Sequence, residues 1–287
     1  MMPQVYDSSN RYVIDIENGA ETARLLAQDQ LYTRAMGGIL PEHPDPCALE
    51  QVLDLACGPG GWALELGFAY RDMQVIGVDI NASMIGYARA LARVQHLDNV
   101  TFQVMDVTQS LAFATHSFDL VNARFLVGFL EQAGWPPLLA ECLRVLKPGG
   151  ILRLTECEQG ISSSPALQQL GRYLTQALSQ QGRTFSADGQ TIGIAHMLGT
   201  LLHHAGFVQI QRRAFLLDSS YGEPLYAASC KQMEVTFALL KPYLIHSGVV
   251  EEGAFDDLYY HMLMQTIHED FCCVSFGLTA WAMKPPW

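Results

Sequence analysis

From residue 52 onward the chain alternates short, almost wholly apolar runs with longer stretches whose apolar residues fall at helical spacing. The runs at 52–55, 75–78, 100–105, 120–121 and 151–155 predict five strands. Helices are predicted between them at 62–70, 83–94 and 136–146, the last broken by Lys147-Pro-Gly-Gly150. Strand–helix alternation implies a parallel sheet covered by helices on both faces, and uniformly apolar strands agree, since parallel strands are buried on both sides. Upstream, residues 20–36 carry a helical pattern that Gly37-Gly38 ends, and three prolines at 41, 44 and 46 separate this arm from the first strand. Downstream, 165–181 and 191–205 read as helices and 207–214 as a strand. Residues 219–273 read mostly as helix, and 275–283 as a final strand. A long helical insertion therefore separates the last two strands.

Composition narrows the function. The 287 residues are 49% hydrophobic, enough for a substantial core. Asp and Glu number 29 against 17 Lys and Arg, a net charge of −12, and the basic residues are scattered. That argues against a nucleic-acid partner, which needs concentrated positive charge. No apolar run is long enough for a membrane span, and the polar first ten residues do not read as a signal peptide. Seven cysteines with no C-x-x-C spacing read as reduced thiols. The expectation is a soluble, cytoplasmic protein.

The stretch Val52-Leu-Asp-Leu-Ala-Cys-Gly-Pro-Gly-Gly-Trp62 carries the chemistry. A buried strand ends in Asp54 and a Gly-rich turn opens a helix, whose first N–H groups face any ligand there. The second strand ends in Asp79, where doubly wound sheets bind ribose hydroxyls; the third ends in Asp106 and the fourth leads into Asn122. Gly58-Pro-Gly-Gly-Trp-Ala63 fits the G-x-G-x-x-A pattern of a nicotinamide dinucleotide site. Asp54 opposes that reading, because a carboxylate just before the loop would face a pyrophosphate. It suits S-adenosylmethionine, which carries an ammonium and a sulfonium but no phosphate.

Five pieces then stand in a recognisable order: residues 53–60, 75–79, 103–107 (Gln103-Val-Met-Asp-Val107), 118–121 (Phe118-Asp-Leu-Val121) and 143–150. Over about residues 50–156 the chain resembles the class I S-adenosylmethionine-dependent methyltransferases, of the small-molecule type related to quinone-biosynthesis enzymes. The resemblance implies an α/β fold with a doubly wound, mostly parallel, seven-stranded Rossmann-like sheet, its antiparallel last strand inserted between strands five and six. The expected division is an N-terminal helical arm or lid (1–46), a cofactor-binding core (47–215), a helical cap for substrate (216–274) and the final strand (275–287). By position, the resemblance implies that the turn at Asp54, Ala56, Gly58 and Gly60 holds the methionyl end. Asp79 would bind the ribose diol, Ile80 and Met84 would pack on the adenine, and Asp106 with the Val107 backbone would read its edge. Asn122 would line the sulfonium region. Ala56 replaces a family glycine, and alanine there is expected to keep a negative φ.

The implied activity is methyl transfer from S-adenosylmethionine, releasing S-adenosylhomocysteine, to O, N or C of a small apolar or aromatic molecule. The rivals are a protein of this fold that binds the cofactor without transferring methyl, and a nicotinamide oxidoreductase. In-line displacement needs alignment and exclusion of water, and a base only for a protonated acceptor, so no catalytic residue is fixed. Candidates are Arg124 past the fourth strand, Glu156 (with Glu158) past the fifth, and His196 in a predicted helix. Each has a structural alternative: a salt-bridged arginine, a solvated rim carboxylate, a packed or solvated histidine. His196 and His203 share one helix face, as do His261 and His268, but their spacing is wider than metal ligation favours, and no metal is expected. Tyr221, Tyr226, Phe237, Tyr243, Tyr259 and Tyr260 suit an apolar pocket and plain helix packing equally. Expected partners are a small-molecule acceptor, with a homodimer left open.

Overall fold

In a computed structural model, residues 12–14 and 19–286 are described; residues 1–11 and 15–18 of the expected arm and residue 287 of the expected final-strand segment lie outside them. Helix α1 (Gly19–Met36) precedes strand β1 (Gln51–Leu55), and then helices and strands alternate as the periodicity predicts. They run α2 (Gly61–Ala69), β2 (Gln74–Asp79), α3 (Ala82–Val94), β3 (Val100–Val104), β4 (Phe118–Arg124), α4 (Trp135–Val145) and β5 (Leu146–Cys157). A two-residue strand β6 (Ile161–Ser162) leads to α5 (Pro165–Gln180), α6 (Ile194–His204) and β7 (Val208–Asp218). The insertion supplies α7 (Tyr226–His246) and α8 (Glu252–Thr266) before β8 (Cys273–Met283) closes the sheet.

The sheet runs β3-β2-β1-β4-β5-β8, with β7 on the outer edge of β8. The contacts of β1 to β5 are parallel, and β8 is antiparallel to both β5 and β7. The antiparallel strand thus lies where the resemblance puts it. The count is eight rather than seven, because β6 also pairs with β8 beyond the end of β5. Several sequence boundaries shift, two of them for reasons the pairing shows. Lys147-Pro-Gly-Gly150 ends α4 but does not delay β5, which already pairs at Leu146 opposite Phe118 and absorbs the irregularity as a register shift. Strand β7 runs four residues past the predicted end, because β8 offers it partners as far as Val274.

Each sheet face buries its own core. Val52, Leu120 and Val75 pack under Trp62 of α2 and Ile85 of α3. On the other face Leu53, Val121 and Leu152 meet Trp135 of α4, Leu170 of α5 and Leu198 of α6, and this core extends into the insertion through Phe237 and Phe255. Local chemistry sets the helix starts. The Asn81 side chain accepts from the Ser83 and Met84 N–H groups at α3, and the Ser164 hydroxyl from Leu167 N–H at α5, ahead of Pro165. Gly60 caps α2 at φ +82, and a Cβ there would lie 2.6 Å from the Phe102 ring. The insertion packs back on the molecule, α8 on α5 and α7 on α1. Among the described residues no helix is long and apolar enough to cross a membrane. All seven cysteines are free thiols.

Candidate active site

A cavity of about 480 Å³ opens at the carboxyl ends of β1 to β4, where doubly wound sheets bind their ligands. Eight of the ten residues expected to hold the cofactor line it: Asp54, Ala56, Gly58, Asp79, Ile80, Met84, Asp106 and Val107. The other two stand behind the wall. Gly60 is spent on the start of α2, against Phe102. Asn122 is fully buried; its amide N–H donates to Asp54 Oδ1 at 2.7 Å and its Oδ1 accepts from Arg153 at 2.8 Å. Asn122 therefore orients Asp54 rather than facing the cleft.

The turn departs from expectation at Ala56, which has φ +51 instead of a negative value. The path from β1 into the turn requires the left-handed conformation there, and alanine carries a steric cost of about 1–2 kcal/mol that glycine would not. Asp79 fixes the next step: its Oδ2 accepts from Gly58 N–H and its Oδ1 from Asn81 N–H, both at 2.8 Å. A carboxylate has four acceptor positions, so Asp79 retains capacity for ligand hydroxyls. Ile80 is 61% exposed although large and apolar, the condition of a residue that offers a face to a flat ligand. Asp106 uses Oδ1 on the N–H and hydroxyl of Thr108, so it shapes its own turn while bordering the cleft.

Charge in the cleft is paired incompletely. Burial pushes Asp54 up to about 7, against the opposing pull of Arg124 and the Asn122 hydrogen bond. Arg124 makes an ion pair with Asp29 of α1, yet its buried Nη1 has no hydrogen-bond partner. Asp54 and Arg124, the latter with one buried N–H still unpartnered, thus line one space, complementary to a ligand end bearing both an ammonium and a carboxylate. This is the donor and acceptor set that the methionyl end of S-adenosylmethionine requires, so the residues present fit that cofactor.

The remaining wall was not legible in the sequence. Tyr12, together with Leu25, Gln28 and Asp29 of α1, closes one side, and Phe125 and Phe129 after β4 close another. Phe125 sits at φ +58, its N–H donating to the Thr155 carbonyl at 2.9 Å. Glu156 holds this loop from beneath: it is 1% exposed, and its Oε1 accepts from Leu126 N–H at 2.7 Å. Burial raises its carboxyl to about 8. Of the three catalytic candidates, Arg124 lines the cleft, whereas Glu156 does not and acts on the loop. His196 is exposed on α6 and borders neither the cleft nor the space beside α5, because α6 turns Ala195 and Leu198 to the core and this position outward. Glu158 accepts from Gly193 and Ala195 N–H at the start of α6. Among the described residues no cluster is suited to a metal ion.

Residues 52–150 match the family model of a methyltransferase domain. The chain is 33% identical over 207 residues to the ubiquinone/menaquinone biosynthesis C-methyltransferase UbiE of Desulfotalea psychrophila, covering 68% of this chain and 78% of that protein. It is also 33% identical over 186 residues to the demethylmenaquinone methyltransferase of Porphyromonas gingivalis, with 61% and 74% covered. The fold resembles that of phosphoethanolamine N-methyltransferase 2 of Haemonchus contortus, solved with S-adenosyl-L-methionine. The TM-score is 0.54 at 20% identity, over 92% of this chain and 57% of that one. Asp54 beneath the turn and these relatives together exclude the dinucleotide reading, and the chain belongs to the class I S-adenosylmethionine-dependent methyltransferases.

Proposed function

We propose that this enzyme methylates O, N or C of a small, apolar or aromatic molecule. The observation that carries the reading is the covered cleft: Leu25, Gln28 and Asp29 of α1 border the same space as the strand-tip acids. A site roofed by a helix suits a small acceptor, and the surplus of acidic residues suits a neutral or cationic one. Two relatives are named as a ubiquinone/menaquinone biosynthesis C-methyltransferase and a demethylmenaquinone methyltransferase, and an apolar acceptor of that kind agrees with the apolar walls at Tyr12, Phe125 and Phe129.

Bound S-adenosylmethionine supplies a methyl group made electrophilic by positive sulfur. The chain's own residues do the rest. Asp54 would take the ammonium of the methionyl end and Arg124 Nη1 its carboxylate, with Asn122 holding Asp54 in place. The Ala56–Gly58 backbone would follow that end, Asp79 would accept from the ribose hydroxyls, and Ile80 and Met84 would pack on the adenine, with Asp106 and Val107 at its edge. The Phe125 loop, tied to Glu156, and the roof of α1 would exclude water and fix the acceptor's approach. Among the described residues no histidine or glutamate borders the cleft; its acids are Asp29, paired with Arg124, and Asp54, Asp79 and Asp106 at the strand tips.

Calorimetry with S-adenosylhomocysteine and with NADH tests the cofactor assignment. The former should bind, and binding of NADH alone would overturn the reading. S-adenosylhomocysteine released during turnover separates transfer from mere cofactor binding.

A further inference from the structure

A second cavity, of about 360 Å³, lies between α1, α5 and α7. It touches the cofactor cleft at two points. Gln28 borders both spaces, and the Tyr32 ring, on the chamber wall, lies 4.8 Å from the Phe125 ring on the cleft wall. One layer of side chains divides them.

The buried part of the lining carries no charged side chain. Five glutamines and several hydroxyls alternate with apolar side chains such as Leu174, Met233 and Phe237. Of its charged residues, Glu158 commits both oxygens to the backbone of α6, and Arg172 reaches Gln169 at the surface. Thr175 on α5 and Ser229 on α7 are each 1% exposed, and neither side-chain oxygen has a hydrogen-bond partner. Buried hydroxyls without partners destabilise a fold, and both belong to residues that line the chamber, where a side-chain rotation would bring them to a ligand. Arg172 is exposed and lies at the rim, so a charged ligand would find no counter-ion in the buried part of the chamber, and a purely apolar one would leave the amides and hydroxyls unpaired.

We propose that this chamber holds the body of the methyl acceptor, whose reacting atom reaches into the cofactor cleft past Gln28, and that the acceptor is an uncharged molecule with an apolar body and hydroxyl oxygens. Thr175, Ser229 and the glutamine amides recognise those oxygens, and Gln28 stands at the passage to the cofactor. The assignment to the acceptor rests on the methyl-transfer reading above. Gln28 suits a passage because it is held by hydrogen bonds alone, its Oε1 accepting from Arg24 at 2.6 Å and from Gln232 at 3.1 Å.

The test uses 2-naphthol as probe, titrated by fluorescence into the full chain with and without S-adenosylhomocysteine. Saturable binding is expected. Gly171→Leu fills the chamber from α5, where a Cβ meets only the flexible Gln159 side chain, at 3.1 Å. It should weaken naphthol at least tenfold while calorimetry shows unchanged S-adenosylhomocysteine affinity. Thr175→Val and Ser229→Ala should weaken the probe severalfold yet raise the melting temperature of the ligand-free protein, a pairing that a purely structural role would not produce. Charged 2-naphthoate should bind at least tenfold more weakly than naphthol. The acceptor role adds coupling through Gln28: S-adenosylhomocysteine should change naphthol affinity at least threefold. Equal naphthol binding to Gly171→Leu, naphthoate binding as tightly as naphthol, or no coupling would overturn the proposal. Failure of S-adenosylhomocysteine to bind the unaltered protein would instead strike the cofactor reading.

Discussion

Asp79 is the side chain on which the cofactor turn depends. Its two oxygens receive Gly58 and Asn81 N–H groups from either side, so one carboxylate fixes the loop and faces the ligand. Asp79→Ala should weaken S-adenosylhomocysteine binding by roughly 1–3 kcal/mol, the scale of a lost hydrogen bond to a charged group. Calorimetry reads this directly, and unchanged affinity in a folded variant would reject the assignment. Ala56 presents the opposite case, a residue strained by the same turn at φ +51. Ala56→Gly relieves the left-handed strain but enlarges the freedom of the unfolded chain. The net expectation is a gain of up to about 1 kcal/mol in chemical denaturation. A loss of stability would mean that the methyl group packs more usefully than its backbone angle suggests.

At the scale of elements, one register row crosses the sheet and ties the cleft to the segment after α1. Asp54 of β1, Asn122 of β4 and Arg153 of β5 are direct lateral neighbours. Arg153, 1% exposed, ends the row in a buried ion pair with Glu42. Glu42→Gln leaves a buried guanidinium without its counter-ion and should cost about 3–5 kcal/mol in urea denaturation. Adding Arg153→Met removes that charge and should recover most of the stability. Affinity for S-adenosylhomocysteine should stay lowered, since Asn122 then loses the donor that holds it. Recovery of affinity along with stability would show that the row does not reach the cleft.

The same row marks what the chain reveals before it is folded. Strand tips, the Gly-rich turn, Asp79 and the last strand were readable, because each leaves a local trace in apolar period, glycine spacing or an acid at a strand end, whereas the antiparallel placement of that strand comes from the family resemblance alone. Glu42 and Arg153 were not, being 111 positions apart, with Arg153 embedded in an apolar run that otherwise reads as plain buried strand. The sequence predicts the arm as a lid but does not single out Gln28 and Tyr12, since nothing local says which of the arm's residues face the cleft. His196 misled for the converse reason: helical spacing says which residues share a face but not which face meets the core.

For the molecule as a whole, two buried carboxyls set a pH dependence of stability that runs against the usual acid sensitivity. Burial raises Asp54 to about 7 and Glu156 to about 8. In the unfolded chain both would ionise near 4. Between those limits the native state binds more protons than the unfolded one, so unfolding free energy falls as pH rises. Each group contributes a slope of up to about 1.4 kcal/mol per pH unit across that window, and its contribution is lost as pH passes its folded value. The stability contributed by these two groups is therefore fullest below pH 4 and gone above about 8. Glu156→Gln should flatten the curve measured by urea denaturation between pH 5 and 8. An unaltered slope would mean that Glu156 is ionised in the fold. Cofactor binding acts on the other group: an ammonium beside Asp54 favours its charged form, so S-adenosylhomocysteine should bind more tightly as pH rises from 6 to 8, releasing a proton as it does. Affinity that is flat over that range would separate Asp54 from the ligand's ammonium, and would leave Arg124 as the charged contact to the methionyl end.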